Sequence, residues 1–487
     1  MSAIIQSTYQ TKLYYDGRFV AARSGATFEV VDPSTEEIIA QVASAGEEDV
    51  DAAVQAAYRQ YSEGDWSRMN GAERGRLLYR LADLIERDKE IIASLESRDN
   101  GKLLAMVLAL DVPNVIETFR YFAGWADKLE GRTIPVANMF GRPVMSYTIR
   151  EPLGVIGGIT AYNAPTMNLA WKSAPALAAG NTFVLKPAEE APLSSLYIAK
   201  LVDEAGFPAG VFNIVPGLGP VAGMALVRHP LVAKVSYTGG GAVGRIIAGE
   251  AAKNLKPLTL ELGGKAPQIV MEKADLDAAI PMLVMGVVAN QGQICAAGTR
   301  ILVHRSRYKE VVDGLAAGAD SQKLGDPADP NVTMGPLSTA RSVKRVLGYV
   351  EAGKAEGAKL VAGGSRVEGK GYFVQPTIFA GSNDMKIARE EIFGPVGTVI
   401  PFDTVDEGVK IANDTEYGLS ASVFSADASE ASLVARRLRA GAVWVNGWGM
   451  IAAALPWGGV KASGYGRETG WNGIEDVTHE KVITALL

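Results

Sequence analysis

Apolar residues recur mostly at three- and four-residue steps along Leu77, Leu81, Leu84, Ile85, Ile91, Ile92 and Leu95, with Arg and Asp between them. That spacing gathers one apolar stripe on a helix face. Ser44 followed three residues later by Glu47 has the form of a capping box opening a helix through Val54 and Ala57. Farther on the pattern changes to short apolar runs at 154–160, 182–185, 211–215, 235–238 and 258–262. These are strand-length, and helical segments separate most of them. A helix at 342–356 before a strand at 359–361, and a helix at 431–438 before a strand at 442–445, repeat the theme. The alternation predicts an α/β chain of βαβ units, with mainly parallel sheets covered by helices on both faces and a second such domain after the first.

Three stretches of about twenty residues, 152–171, 278–299 and 440–460, carry no charge and have the length of a membrane span. Gly, Pro, Asn or Gln interrupts each, and a lipid-exposed helix tolerates such breaks only where neighbours satisfy its backbone. They read as buried core, part of which can also line a dry cavity. Residues 133–150 carry Pro135, Asn138, Gly141 and Pro143 before the run Val144-Met145-Ser146-Tyr147-Thr148-Ile149, the form of a hairpin. Two strands alone are marginally stable, so this arm needs a partner, as do the apolar residues 482–487. A subunit interface or an intrachain sheet edge would serve either.

The 487 residues, 48% hydrophobic and 21% charged, fit a globular chain of two or three domains at roughly 100–200 residues each. A net charge of −6 removes the basic field that nucleic acid or an anionic membrane would require, which leaves small molecules as the expected partners. One cysteine cannot form an internal disulfide, and residues 1–10 lack the basic and apolar regions of a secretory signal, so a cytoplasmic location is expected. His229, His304 and His479 stand at no metal-ligand spacing from one another or from the cysteine, so no metal site is expected.

The strand ending at Thr238 runs into Gly239-Gly240-Gly241-Ala242-Val243-Gly244 and a helix from Arg245. In that context the glycines can bring backbone N–H groups and a helix N-terminus to a pyrophosphate. The spacing rule for a ribose-binding acid points to Glu261, but Glu261 ends the next strand in Glu261-Leu262-Gly263-Gly264-Lys265, and Glu189 competes for the role with Lys186 beside it. Spacing leaves the two carboxylates undecided. The lone Cys295 sits in Asn290-Gln291-Gly292-Gln293-Ile294-Cys295-Ala296-Ala297-Gly298-Thr299. A lone cysteine is most often a small buried hydrophobe, yet amides and glycines around it suit a loop in a cleft. A free thiol is only about 3% ionised at pH 7, so a working nucleophile needs a base. Histidines are scarce, and a carboxylate in a water-poor pocket, such as Glu261, can take that task.

Together these residues resemble the NAD(P)-dependent aldehyde dehydrogenase superfamily from Leu13 to Val482. Supporting motifs are Ala161-Tyr162-Asn163-Ala164-Pro165, Leu185-Lys186-Pro187-Ala188-Glu189, Glu391-Ile392-Phe393-Gly394-Pro395-Val396, Pro456-Trp457-Gly458-Gly459 and Gly466-Arg467-Glu468. The resemblance implies a Rossmann-type cofactor domain at 1–128 and 151–260, a catalytic domain at 261–462, and a small β oligomerisation arm at 129–150 and 471–487 whose last strand joins a neighbour's sheet in a homodimer or homotetramer. It implies that Cys295 attacks the aldehyde, that Asn163 and the Cys295 N–H hold the oxyanion, and that Glu261 activates the water that hydrolyses a thioester. Lys172 and Glu468 match positions of a proton relay, although an ordinary buried ion pair would look the same. Lys186 and Glu189 are implied at the adenine-side ribose, Glu391 with Phe393 at the nicotinamide ribose, and Gly239, Gly240 and Gly244 at the pyrophosphate. Glu189 repels a 2′-phosphate, which favours NAD over NADP.

The chain departs from the family pattern where Gly240 replaces a common serine, Tyr162 and Ala164 replace Trp and Phe, and Trp457 replaces Phe. Ala164 should widen the substrate tunnel and Trp457 refill part of it. Trp171 stands where relatives acting on carboxylate-bearing semialdehydes often place arginine, so an uncharged apolar or aromatic aldehyde is expected. Its lining would be Asn114, Trp171, Ile294, Met450, Ile451 and Trp457, with Asn114 as the hydrogen-bonding member. Two alternatives remain beside this one. A CoA-acylating relative commonly lacks the glutamate base, and a non-catalytic structural relative would have little reason to retain Cys295, Asn163, Glu261 and Glu391 together.

Overall fold

The five apolar runs between residues 154 and 262 fold as neighbouring parallel strands of one sheet. In the computed structural model, which describes residues 9–487, the order is Leu258–Glu261, Val232–Thr238, Val155–Ile159, Thr182–Lys186 and Phe212–Ile214. Antiparallel edges complete it to eight strands: Gly464–Tyr465 beyond Leu258–Glu261, and the hairpin Leu13–Tyr15 with Arg18–Val20 beyond Phe212–Ile214. The reading of residues 1–10 as free of a secretory signal falls, but for the last two, outside the described residues. The second α/β unit is a seven-stranded sheet in the order Lys359–Ala362, Thr377–Ala380, Val396–Phe402, Arg300–His304, Pro267–Val270, Ser420–Phe424, Ala442–Val445, antiparallel only at its first edge. Five residues, Leu262 to Ala266, lead from the first sheet to the second, and residues 446–463 lead back from Ala442–Val445 to Gly464–Tyr465.

Helices bury apolar faces on both sides of each sheet. Pro165–Ala178 and Leu193–Ala205 pack one face of the first, with Gly71–Arg87 and Val112–Ala123 packed on those helices as an outer layer, and Glu47–Ser62 with Gly241–Ala252 cover the other face. Several boundaries differ from the sequence reading. Ser44 bonds through its N–H to Ala26 O as the strand Glu37–Ala43 ends, so Gly46 caps the helix and the Asp49 carboxylate, not Glu47, closes the box at 3.0 Å. The stripe from Leu77 to Leu95 is two helices, Gly71–Arg87 and Lys89–Asn100, because the six-residue step from Ile85 to Ile91 breaks the period at Asp88. The helix after the glycine turn starts at Gly241 rather than Arg245. No helix among the described residues is long and apolar enough to cross a membrane.

The expected hairpin at 133–150 forms in part. Antiparallel bridges join Thr133 to Tyr147 and Met139 to Arg142 across its two limbs, while the strand Val144–Pro152 pairs along its whole length with Thr478–Leu486. The two segments that needed partners therefore find each other within the chain. Phe140, Met145, Val482 and Leu487 remain exposed on this arm.

Asn181, fully buried, ties the arm's root to the first sheet: its Oδ1 accepts from Gly154 N–H at 2.9 Å, and its Nδ2 donates to Ala176 O and Val477 O at 3.1 and 3.0 Å. Asn181→Ala strands the buried Gly154 N–H and takes one donor each from Ala176 O and Val477 O, which keep the Asn181 and Leu153 N–H groups, and should cost roughly 1–3 kcal/mol, read as a lowered urea midpoint at unchanged slope.

Candidate active site

In the first sheet the chain runs outward from Val155–Ile159 to Thr182–Lys186 and Phe212–Ile214, then reverses to place Val232–Thr238 on the other side. That reversal opens a crevice at the carboxyl ends of the strands, where α/β folds bind ligands. Asn163, Glu189, Gly239 and Glu261 all lie at these carboxyl ends. The second sheet faces them with amino ends: Cys295 precedes Arg300–His304 and Glu391 precedes Val396–Phe402. Cys295 follows a turn in which Asn290, Gln291 and Gly292 take φ of 46°, 56° and 69° in succession. Left-handed conformations at two non-glycine residues are strained. Side-chain amides hold them there: Asn290 Nδ2 donates to Asn163 O at 3.0 Å and Gln291 Nε2 to Gly101 O at 3.1 Å. Gly292 admits no side chain, since a Cβ would lie 2.2 Å from Gly394 O.

Cys295 is half-buried and borders the buried Glu261. Burial, then the Glu261 charge, holds the thiol well above its ordinary range. Burial likewise raises the Glu261 carboxyl to about 8, against the opposing effect of the thiol, and one of its oxygens finds no hydrogen-bond partner among the described residues. Asn163 Nδ2 donates to Gln293 O at 2.9 Å, which uses one of its two amide hydrogens. Lys172 and Glu468 form a fully buried ion pair behind Glu261, with Lys172 Nζ also donating to Thr238 Oγ1 at 2.7 Å and Ser236 Oγ to Glu468 at 2.9 Å. They line neither cavity next to the thiol.

Two cavities meet at Cys295, and Asn163, Thr238 and Glu261 border both. The larger, about 350 Å³, has the size of a small-molecule site. Asn114, Trp171, Ile294, Ile451 and Trp457 line it as expected, with Ala164, Trp444 and Trp448 besides. Three tryptophans are pinned by their indole N–H groups: Trp171 to Asn114 Oδ1 at 2.8 Å, Trp444 to Met450 O at 2.9 Å, Trp448 to Ala296 O at 3.0 Å. Since the Asn114 oxygen serves Trp171, its amide nitrogen is the end left for another acceptor. Two expectations fail. Met450 does not line the cavity: it is half-exposed and contributes its carbonyl to Trp444. The wall is not uncharged either, since Lys102 and Asp111 border it as a buried pair and Glu117 borders it exposed.

The smaller cavity, about 140 Å³, is lined by Gly239, Gly240, Gly263, Arg345, Glu391 and Phe393 among others. A Cβ at Gly240 would meet nothing within 4 Å, and the helix Gly241–Ala252 has neither a side-chain cap nor an acid in its first turn. Gly244 lies outside this lining, and a Cβ there would strike Leu262 at 2.6 Å, the close helix–strand approach that the third glycine of such a turn permits. Glu391 accepts from Gly264 N–H at 3.2 Å, and burial pushes its carboxyl up to about 7. Phe393 takes φ 54°, with Arg345 over its ring at 5.8 Å. Lys186 Nζ donates to Glu189 at 2.5 Å. Burial opposes the Glu189 charge, but the Lys186 charge and hydrogen bond, with the Glu189 and Gly219 amides, hold its carboxyl low.

Thr238, Arg345, Trp444, Trp448, Lys102 and Asp111 escaped the sequence reading as site residues. The tryptophans carried a signal, since they lie in the uncharged stretch 440–460. Arg345 carried none, being one cation among several on the amphipathic helix Ala340–Ala355.

Residues 19–483 match the aldehyde dehydrogenase family. Human aldehyde dehydrogenase 1A1 is 48% identical over 480 residues, 98% of this chain and 95% of its own length. Human mitochondrial aldehyde dehydrogenase is 47% identical over 476 residues, 97% of this chain and 91% of its own. The NAD+ complex of the Bacillus cereus aldehyde dehydrogenase superposes with a TM-score of 0.97 at 45% identity, covering 100% of this chain and 98% of that one. With a thiol, a carboxyl of raised pKa and two converging cavities at one point, and with this match along nearly its whole length, the chain belongs to the aldehyde dehydrogenase family.

Proposed function

We propose that the chain oxidises an uncharged apolar or aromatic aldehyde to its carboxylic acid with NAD, consuming one water and releasing NADH. The observation that carries the reading is the position of Cys295, beside Glu261, where a tryptophan-lined cavity meets a glycine- and carboxylate-lined one. A thiol held so high does not ionise alone near neutrality, so Glu261 accepts its proton as sulfur attacks the aldehyde carbon. The second Asn163 amide hydrogen and the Cys295 backbone N–H receive the oxyanion of the thiohemiacetal. Bound NAD supplies the acceptor for the hydride that then leaves this carbon. The Lys172–Glu468 pair carries the thiol's proton away from Glu261 through Thr238, and Glu261 then takes a proton from water, whose oxygen displaces the thiolate from the thioester, and returns that proton to the sulfur.

The residues present fit that cofactor. Lys186 and Glu189 bracket a ribose diol, and Glu189 disfavours a 2′-phosphate. The open face at Gly239 and Gly240, with the uncapped helix behind it, suits a pyrophosphate. Glu391 and Phe393 meet the nicotinamide ribose. The eight-stranded sheet forms the cofactor domain, the seven-stranded sheet the catalytic domain, and the paired strands Val144–Pro152 and Thr478–Leu486 the oligomerisation arm of a homodimer or homotetramer. A thiol that must stay reduced favours the cytoplasm.

With NAD, kcat/KM for benzaldehyde should exceed that for succinic semialdehyde, and Cys295→Ala should abolish NADH release from both while leaving NAD binding intact; turnover in that variant overturns the nucleophile. A carboxyl titrating at about 8 is protonated below that pH and then cannot act as base. Steady-state rate should therefore fall toward acid, approaching roughly tenfold per pH unit. Glu261→Gln removes the base for the thiol as well as for water, so both the NADH burst and the steady-state rate should fall, and a full steady-state rate would reassign the base. Glu189→Ala should raise the NADP-to-NAD ratio of kcat/KM, and an unchanged ratio would move the ribose contact elsewhere.

A further inference from the structure

The turn Asn100-Gly101-Lys102 ends the helix Lys89–Asn100 and takes no part in the chemistry above, yet it bonds to both loops that carry it. Asn100 Nδ2 donates to Tyr162 O at 3.3 Å, one residue before the oxyanion amide of Asn163. Gly101 O receives Gln291 Nε2 from the strained turn before Cys295. Asn100 O receives Ser338 Oγ at 2.6 Å, and Ser338 N–H donates to Gln293 Oε1 at 3.1 Å. Gln293 O is the acceptor of the Asn163 amide. Gly101 itself turns with φ 82° and passes close to Pro336, where a Cβ would lie 2.8 Å from the carbonyl.

What fixes this turn is charge. Lys102 Nζ stands 2.5 Å from Asp111 Oδ1 and 3.5 Å from Glu96 Oε1, and all three side chains are buried. The other Glu96 oxygen accepts from the Thr166 hydroxyl and, at 3.4 Å, from Thr166 N–H. Thr166 lies in the first turn of Pro165–Ala178, whose own N-cap, Ala164, has no side-chain acceptor. Glu96 thus caps from a distance the helix that begins immediately after Asn163. Burial holds the Glu96 carboxyl high against the pull of Lys102, so removing the lysine leaves two buried carboxyls with no cation between them.

We infer that Lys102, with Glu96 and Asp111, is a positioning residue of the active site: the cluster locks the Asn100–Lys102 turn, and through it sets the Asn163 amide and the Cys295 turn relative to each other. The inference rests on the proposed function, because its readout is the formation of the acyl-enzyme. A small displacement of preorganised groups costs rate rather than cofactor affinity.

Single-turnover NADH bursts with benzaldehyde and saturating NAD, taken well below the melting midpoint, test it. Lys102→Met should slow the burst about tenfold or more with the NAD dissociation constant unchanged, and Lys102→Arg should recover part of the rate. A variant that only loosened the fold would lower the melting midpoint and leave the burst rate per active site as it was. A Lys102→Met burst within about twofold of the unmodified protein overturns the inference. Should that variant not fold, Asn100→Ala, which removes the amide bond to Tyr162 O and keeps the charge cluster, decides by the same threshold. A burst that persists in Cys295→Ala would instead overturn the reading of function, so the two failures are distinguishable.

Discussion

A buried carboxyl and a half-buried thiol side by side, with desolvation and negative charge acting on the sulfur, set the terms for everything around them. Burial raises both groups and the Glu261 charge raises the thiol further, so neither Cys295 nor Glu261 is reactive through charge alone near neutrality. Reactivity must come from placement, with a base in contact, donors aimed at the developing oxyanion and a site closed to bulk water. Placement is costly to hold here, because the turn that presents the thiol carries two non-glycine residues in left-handed conformation. The amides of Asn290 and Gln291, the contact of Gly292 with Gly394 and the charged cluster under Asn100–Lys102 are the supports that this strain requires.

The architecture explains why these supports come from so many parts of the chain. One sheet offers carboxyl ends and the other amino ends, and both reach the same point, so each side chain at the centre sits at the end of a different strand. The short link from Leu262 to Ala266 keeps Glu261 and the second sheet in register. Two cavities of unlike chemistry then approach the sulfur from either side, one walled by indole rings and the other by glycines and carboxylates. The tryptophan wall is rigid because three of its indole N–H groups are committed to protein acceptors, which leaves ring faces toward the space between them.

Much of this was legible beforehand. The parallel strands of the first sheet announced themselves as short apolar runs, and the glycine turn marked a loop between strand and helix. Other readings failed for identifiable reasons. Ser44 had the right spacing for a cap, but its backbone was already committed to the neighbouring strand. Leu77 to Leu95 looked like one stripe because a six-residue step is easily lost among correct ones. Met450 was apolar and near the right tryptophans, but its side chain points away while its carbonyl does the work.

The order and type of residues determined that the chain would form α/β sheets and that one cysteine would stand in a polar loop, while spacing left Glu189 and Glu261 as rival candidates for the ribose. These follow from local periodicity and from the scarcity of alternatives, both properties of the linear chain. Which cavity each side chain faces, how Asn100 and Lys102 come to brace residues far from them in sequence, and how far burial raises the Glu261 carboxyl were decided only by folding. Electrostatics and cavity shape depend on distances between segments that the sequence separates, and desolvation exists only once a core has closed around the group.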